Sequence, residues 1–197
     1  DRIAPHNVIV NVQKLASDHP ELTPPAQQFQ YGKDVQTSSA GAAGVAVTKF
    51  EVKFPSASAL WEPSSDGTKW LRTQDGKPLT DKLDGAQVAA TNIVVMSVKI
   101  DRSYLDRKYG HIPKTLMIDT GKAWVFTGGK YVEATWSKAS ATSPIVLVDA
   151  AGAPVLLAPG NTWVELMPVA PEGKISITSV PVASPAPSSS PSPSAKK

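Results

Sequence analysis

The sequence predicts a mainly β protein, a β-rich α+β fold of two related antiparallel β units with few short helices and a disordered C-terminal tail. Three observations carry that reading. Short runs alternate β-branched with polar residues, Gly-containing turn dipeptides separate them, and the chain ends in a Pro/Ser/Ala stretch with almost nothing to bury.

In chain order the predicted strands are Val8–Val12, Val45–Val47, Phe50–Phe54, Ile93–Val98, Ala123–Phe126, Ile145–Val148, Thr162–Leu166 and Ile175–Ile177. Asp66-Gly67, Asp75-Gly76, Gly128-Gly129 and Ala151-Gly152 supply the tight turns, because glycine takes positive φ without steric cost. Helices are minor: the candidates are Pro24–Tyr31 and Arg102–Lys108, each about two turns long. From Ser179 onward the sequence SVPVASPAPSSSPSPSAKK cannot bury enough to offset the entropy of ordering, and it reads as a flexible tail or linker.

An internal repeat divides the chain. Ala4–Val10 aligns with Ala89–Val95, and each copy continues through a Trp, a glycine turn, a Trp-x-basic step (Trp70-Leu71-Arg72 and Trp136-Ser137-Lys138) and a turn closing on Gly-x-Pro. The expected organisation is a first unit over residues 1–88, a second over 89–178 and the tail over 179–197.

Composition narrows the function classes. Net charge is +3, with two of the positive charges at Lys196 and Lys197, too small an excess for a nucleic-acid footprint. No run approaches the ~20 apolar residues that a membrane-spanning helix needs. Cysteine is absent, which excludes disulfides, thiolate metal sites and Cys nucleophiles in this chain. The first residues, Asp1-Arg2-Ile3-Ala4-Pro5, read as the start of a mature or trimmed fragment.

Ala4-Pro5-His6-Asn7-Val8, Gly85–Val95 and Gly160–Pro168 resemble the bacterial YerB-like lipoproteins, an uncharacterised family classed under domain of unknown function 3048. Gly121–Phe126 and Thr135–Lys138 are similar to that family's C-terminal domain. The resemblance implies an extracytoplasmic protein, held to the membrane in a longer precursor through an N-terminal lipidated cysteine. It implies no known reaction.

Motifs for catalysis are missing. His6, His19 and His111 lie in unrelated segments without zinc-ligand spacing, and no nucleophile elbow, phosphate loop or calcium loop is present. The acidic pairs Asp81/Asp84 and Asp101/Asp106 read as turn residues. No cofactor or metal is expected.

Tryptophan is the better lead, since an exposed aromatic face stacks on sugar rings and peptide anchors. Period-2 geometry puts Trp70 with Arg72, and Trp136 with Lys138, on one strand face each. An aromatic beside a cation suits an acidic or carbohydrate ligand; core packing under a surface Arg or Lys stem is the competing reading. His6-Asn7 and its counterpart Asn92 stand at the start of a predicted strand in each unit, where a shared binding role competes with local turn hydrogen bonding. The ligand-binding candidates are thus Trp70, Arg72, Trp136, Lys138, His6, Asn7 and Asn92.

Together these readings point to a noncatalytic extracytoplasmic binding or scaffold module of the cell envelope, with a wall polymer or envelope protein as partner and no nucleic acid. The alternative is an envelope enzyme acting on peptidoglycan or another glycan, and a third is a structural spacer. A concave pocket with converging titratable groups would mark the enzyme, and an aromatic groove or sheet edge the binding module.

Overall fold

The structure, a computed structural model, describes residues 10–24 and 26–180. Its elements in chain order are α1 (Val12–Asp18), β1 (Gln30–Tyr31), α2 (Ser39–Ala43), β2 (Val45–Phe54), β3 (Ala57–Pro63), β4 (Trp70–Gln74), β5 (Lys77–Pro78), β6 (Ala89–Ala90), β7 (Asn92–Val98), β8 (Ile100–Asp101), β9 (Leu105–Asp106), β10 (Gly110–His111), β11 (Lys114–Thr115), β12 (Thr120–Thr127), β13 (Lys130–Ser137), β14 (Val146–Val148), β15 (Leu156–Leu157), β16 (Thr162–Pro168) and β17 (Lys174–Ser179). The protein is mainly β, as its alternation and turn signals predict.

Eleven strands form one curled sheet in the order β16-β7-β12-β13-β2-β3-β4-β5, with β14 beside β13, β17 beside β2 and β6 beside β4. Local turns make its antiparallel hairpins. Asp75 and Gly76 (φ 48° and 78°) join β4 to β5, and Gly128 and Gly129 (φ 57° and 71°) join β12 to β13. Positive φ at both central residues matches the right-handed twist of the flanking strands. Two pairings depart from the antiparallel expectation: β16 runs parallel to β7, and β1 parallel to β15. Neither pair is joined by a hairpin, and the long excursions between the partners leave room for the crossover that parallel pairing requires.

Curling gives the sheet an inside and an outside, and both are buried over β7. Ile93 and Val95 face an inner cluster with Phe50, Val52, Trp61, Trp70, Phe126 and Met167. Val94, Met96 and Val98 face an outer cluster with Val125, Trp136, Leu147, Val155 and Leu157. Burial on both faces is why Ile93-Val94-Val95-Met96 reads as an unbroken apolar run. The inner cluster is aromatic at its centre. Phe50 stacks on Phe126 with ring centroids 3.6 Å apart, and Trp70 meets both edge-on at 5.2 and 5.7 Å. Its residues come from both sides of residue 88, so strands of both sequence units line one core.

The helices fall elsewhere than the sequence suggests. Residues 26–29 are not helical and Gln30–Tyr31 pairs with β15, a ladder that seats Phe29 against the outer cluster. Arg102–Lys108 lies in a hairpin: the Asp106 carboxylate accepts the N–H groups of Lys108 and Tyr109 (2.7 and 2.8 Å), which closes a turn and leaves Gly110 at φ 76°. Instead, the side chain of Asn11 caps α1 through the Lys14 N–H, and that of Ser38 caps α2 through the Gly41 N–H. The strand predicted over Val8–Val12 has Val8 and Ile9 outside the described residues, while Val12 opens α1. Of the predicted tail, Ser179 ends β17 and residues 181–197 lie outside the described residues.

Candidate functional site

Both tryptophans of the predicted aromatic–cation pairs are buried. Trp70 and Arg72 do share a face of β4, but that face is the inside of the curl, and both are buried. Arg72 lies between two indoles, its guanidinium 4.9 Å from the Trp163 ring centroid and 5.8 Å from that of Trp61. Glu165 on β16 closes the cluster. Its Oε1 accepts from Arg72 Nε at 3.4 Å and from Trp61 Nε1 at 3.2 Å. A buried cation thus finds a counter-charge and two π faces, and the cluster ties β16 to β3 and β4 across the inside of the sheet.

Trp136 is fully buried in the outer cluster and donates its Nε1–H to the Ser97 carbonyl at 2.9 Å. Lys138, just past the end of β13, donates to the Ser143 carbonyl instead of facing an open ring. Asn92 is buried at the start of β7. Its Nδ2 donates to the Ala158 carbonyl (2.9 Å) and Thr162 Oγ1 (3.3 Å), and its Oδ1 accepts from Thr127 Oγ1 (2.7 Å) and the Ala158 N–H (3.0 Å). All four bonds go to the protein. His6 and Asn7 lie outside the described residues.

The open site is a gap in the ladder along β13. On one side β13 pairs with β12 along its whole length. On the other it pairs with β2 only at Lys130 and Tyr131, and with β14 only from Thr135 to Ser137. Between them Val132, Glu133 and Ala134 have no strand neighbour on that side. The Gly129 carbonyl accepts from Val47 N on the β2 side, and antiparallel alternation then turns the N–H and C=O of Glu133 into the gap.

A hollow of about 520 Å³ occupies this gap, lined by Ala43, Val45, Tyr131, Val132, Glu133 and the turn Asp149–Ala151. A smaller one of about 150 Å³ adjoins it through Glu133 and Ala150 and is lined by Lys122 and Trp124. Small alanines at 43, 150 and 151 leave the room, and the half-buried Trp124, directly across from Glu133 in the register, supplies an aromatic wall. Glu133 and Asp149 bring two carboxylates. Asp149 is held by the N–H groups of Ala151 and Ala153, both at 2.9 Å.

The family described as "Protein of unknown function (DUF3048) C-terminal domain" matches residues 50–164. The chain belongs to the DUF3048 family. The matched span runs from β2 to the first residues of β16 and contains the gap along β13 and the Trp61, Arg72 and Trp163 side chains. Among solved structures, the DUF3048 chain is similar to the YerB protein from Bacillus subtilis at a TM-score of 0.58 and 19% identity, over 84% of this chain. It spans about half, 52%, of that chain's length. The likeness shows a shared fold. A search of curated proteins finds no match.

Chemically, the gap offers a backbone donor and acceptor, an aromatic wall and two carboxylates. An extended peptide backbone carrying a positive group matches that set. Sequence reasoning looked to tryptophan as the lead but passed over Tyr131, Glu133 and Asp149. The signal for them would have been the shortness of the run Ile145–Val148 beside the longer alternating run Lys130–Ser137.

Proposed function

We propose that this chain is a noncatalytic binding module of a bacterial cell-envelope lipoprotein, working outside the cytoplasm, and that it takes an extended, amine-bearing peptide segment at the gap along β13. The observation that carries the reading is the Glu133 N–H and C=O directed into an open hollow between the ends of two neighbouring strands. One residue of an extended ligand can exchange two backbone hydrogen bonds there, which is how exposed sheet edges capture peptides. Glu133 and Asp149 then select a ligand with a cationic group, and Trp124 packs against its side chains. Cell-wall stem peptides and segments of envelope proteins both have this chemistry, and the resemblance to YerB-like lipoproteins supports the location.

Isothermal titration of the chain with an amine-bearing wall stem peptide tests the reading. Saturable binding is expected in the parent. It should be lost in Ala150→Arg, which fills the hollow and adds a like charge, and reduced when the peptide amine is acetylated. Ala150 is exposed, so the variant is expected to melt like the parent. Absence of binding by the folded parent to stem peptides and to soluble envelope peptides would overturn the proposal.

A further inference from the structure

Residues Lys99–Leu116 leave the sheet as a two-stranded arm. Asp101 pairs with Lys114 and Ile100 with Thr115 near the base, and Leu105 with His111 and Asp106 with Gly110 near the tip. Its base is fastened to the body. Arg102 makes a two-pronged ion pair with Glu172 (3.0 and 2.6 Å), and Lys99 pairs with Asp119 at 2.9 Å. The outer half has no such cover: Tyr104, Leu105 and Tyr109 are 64, 62 and 70% exposed.

Charge collects on the same arm. Five Lys and Arg stand against two Asp between Lys99 and Leu116, which equals the +3 of the whole chain and leaves the remainder balanced at 15 against 15. Both aspartates are turned to backbone N–H groups, Asp101 to Ser103 and Asp106 to Lys108 and Tyr109. Among the described residues Arg107, Lys108 and Lys114 form no ion pair.

We propose that this arm is a membrane-contact element, with Tyr104, Leu105 and Tyr109 seated in the headgroup region of an anionic bilayer and Arg107 and Lys108 on its phosphates. Shape decides the occupant. A specific protein interface needs roughly 800 Å² from each partner, more than the end of a two-stranded ribbon offers. A bilayer sets no such threshold, because each side chain partitions on its own: tyrosine rings settle at the interface, leucine below it, and cations among the phosphates. A soluble polyanion would engage the cations and give no reason for three large apolar side chains at the tip. The inference is independent of the gap along β13.

The chain has no cysteine, so Ser103→Cys, at an exposed position outside the proposed contact set, places a single environment-sensitive dye beside Tyr104. With vesicles containing phosphatidylglycerol, the labelled chain is expected to shift its emission to the blue and to sediment with the vesicles. Pure phosphatidylcholine vesicles should give neither. Arg107→Gln/Lys108→Gln and, separately, Leu105→Ser should each weaken sedimentation of the unlabelled chain about tenfold while melting like the parent. No sedimentation, an unshifted dye, or unchanged binding by Leu105→Ser would overturn the proposal; the last result, joined with displacement by soluble polyphosphate, would assign the arm to a polyanion.

Discussion

Asn92 gathers four chain segments into one buried amide. Its hydrogen bonds reach Thr127 at the end of β12, Ala158 after β15 and Thr162 at the start of β16, from its own place at the start of β7. Truncation would strand the Ala158 N–H and C=O and the Thr127 hydroxyl in a dry site, and each buried orphan costs about 1–3 kcal/mol. Asn92→Ala is therefore expected to lose about 3 kcal/mol or more in urea unfolding, and loss of ligand binding in that variant would follow from loss of fold. Arg72 poses a related case with a different remedy. Arg72→Ala leaves the Glu165 carboxylate without its counter-charge and is expected to cost about 3–5 kcal/mol, whereas Arg72→Met/Glu165→Gln should recover most of it, because it removes the unpaired buried charge and keeps an acceptor for Trp61 Nε1. A double variant as unstable as the single one would show that the ion pair itself, and not the orphaned carboxylate, sets the cost.

At the same scale, exposed aspartates make the protein acid-sensitive. Asp66 accepts from Ser64 Oγ, Thr68 N and Thr68 Oγ1, and these bonds, Ser64's first, pull its pKa from the ordinary aspartate range down to about 2. Asp34, Asp75 and Asp101 are lowered too, chiefly by hydrogen bonds within their own turns or to near neighbours, and Asp119 chiefly by its bond to the Lys99 ammonium. A carboxylate with a depressed folded-state pKa contributes stability that is complete above its unfolded value and is lost as pH falls through the folded one. Melting temperature should accordingly decline between about pH 4 and pH 2. Asp66→Asn should show a smaller decline across that window; an identical decline would remove Asp66 from the account.

At the scale of elements, the hairpins were legible and the gap was not. Asp75-Gly76 and Gly128-Gly129 declare their turns because the required positive φ is a property of two neighbouring residues. Period-2 alternation likewise put Trp70 and Arg72 on one face correctly. Which face lies inside depends on how the sheet curls, and no local pattern encodes that, so the sequence left ligand face and core packing both open for the pair, and the curl makes it core. The parallel partnership of β7 with β16 escaped for the same reason, as did the gap, which consists of pairing that stops. Within β12, Gly121 follows from packing alone: a Cβ there would meet the Ser97 carbonyl oxygen at 2.5 Å and Trp136 Nε1 at 2.8 Å. Gly121→Ala is expected to break the Trp136–Ser97 hydrogen bond and lower the melting temperature. An unchanged melt would mean that β12 and β7 separate without cost at this point.

For the whole molecule, the sequence division at residue 88 gives a direct experiment. The inner cluster sets Phe50, Trp61 and Trp70 against Ile93, Val95, Phe126 and Met167, and β2 pairs with both β13 and β17. Residues 89–178 expressed alone are expected to lack a cooperative melt and to regain one when mixed with residues 1–88. A cooperative transition in the isolated second half would establish it as an autonomous domain.

The ladder between β2 and β17 sets Phe50 opposite Ile177, and the parallel ladder sets Asn92 opposite Thr162. Contacts so distant along the chain cannot form until nearly all of it is available, and closing long loops delays nucleation. Refolding should fall in the slow class of nonlocal β proteins, on the order of milliseconds to seconds, with the chain remaining unfolded until residues near 179 have emerged from whatever makes or carries it.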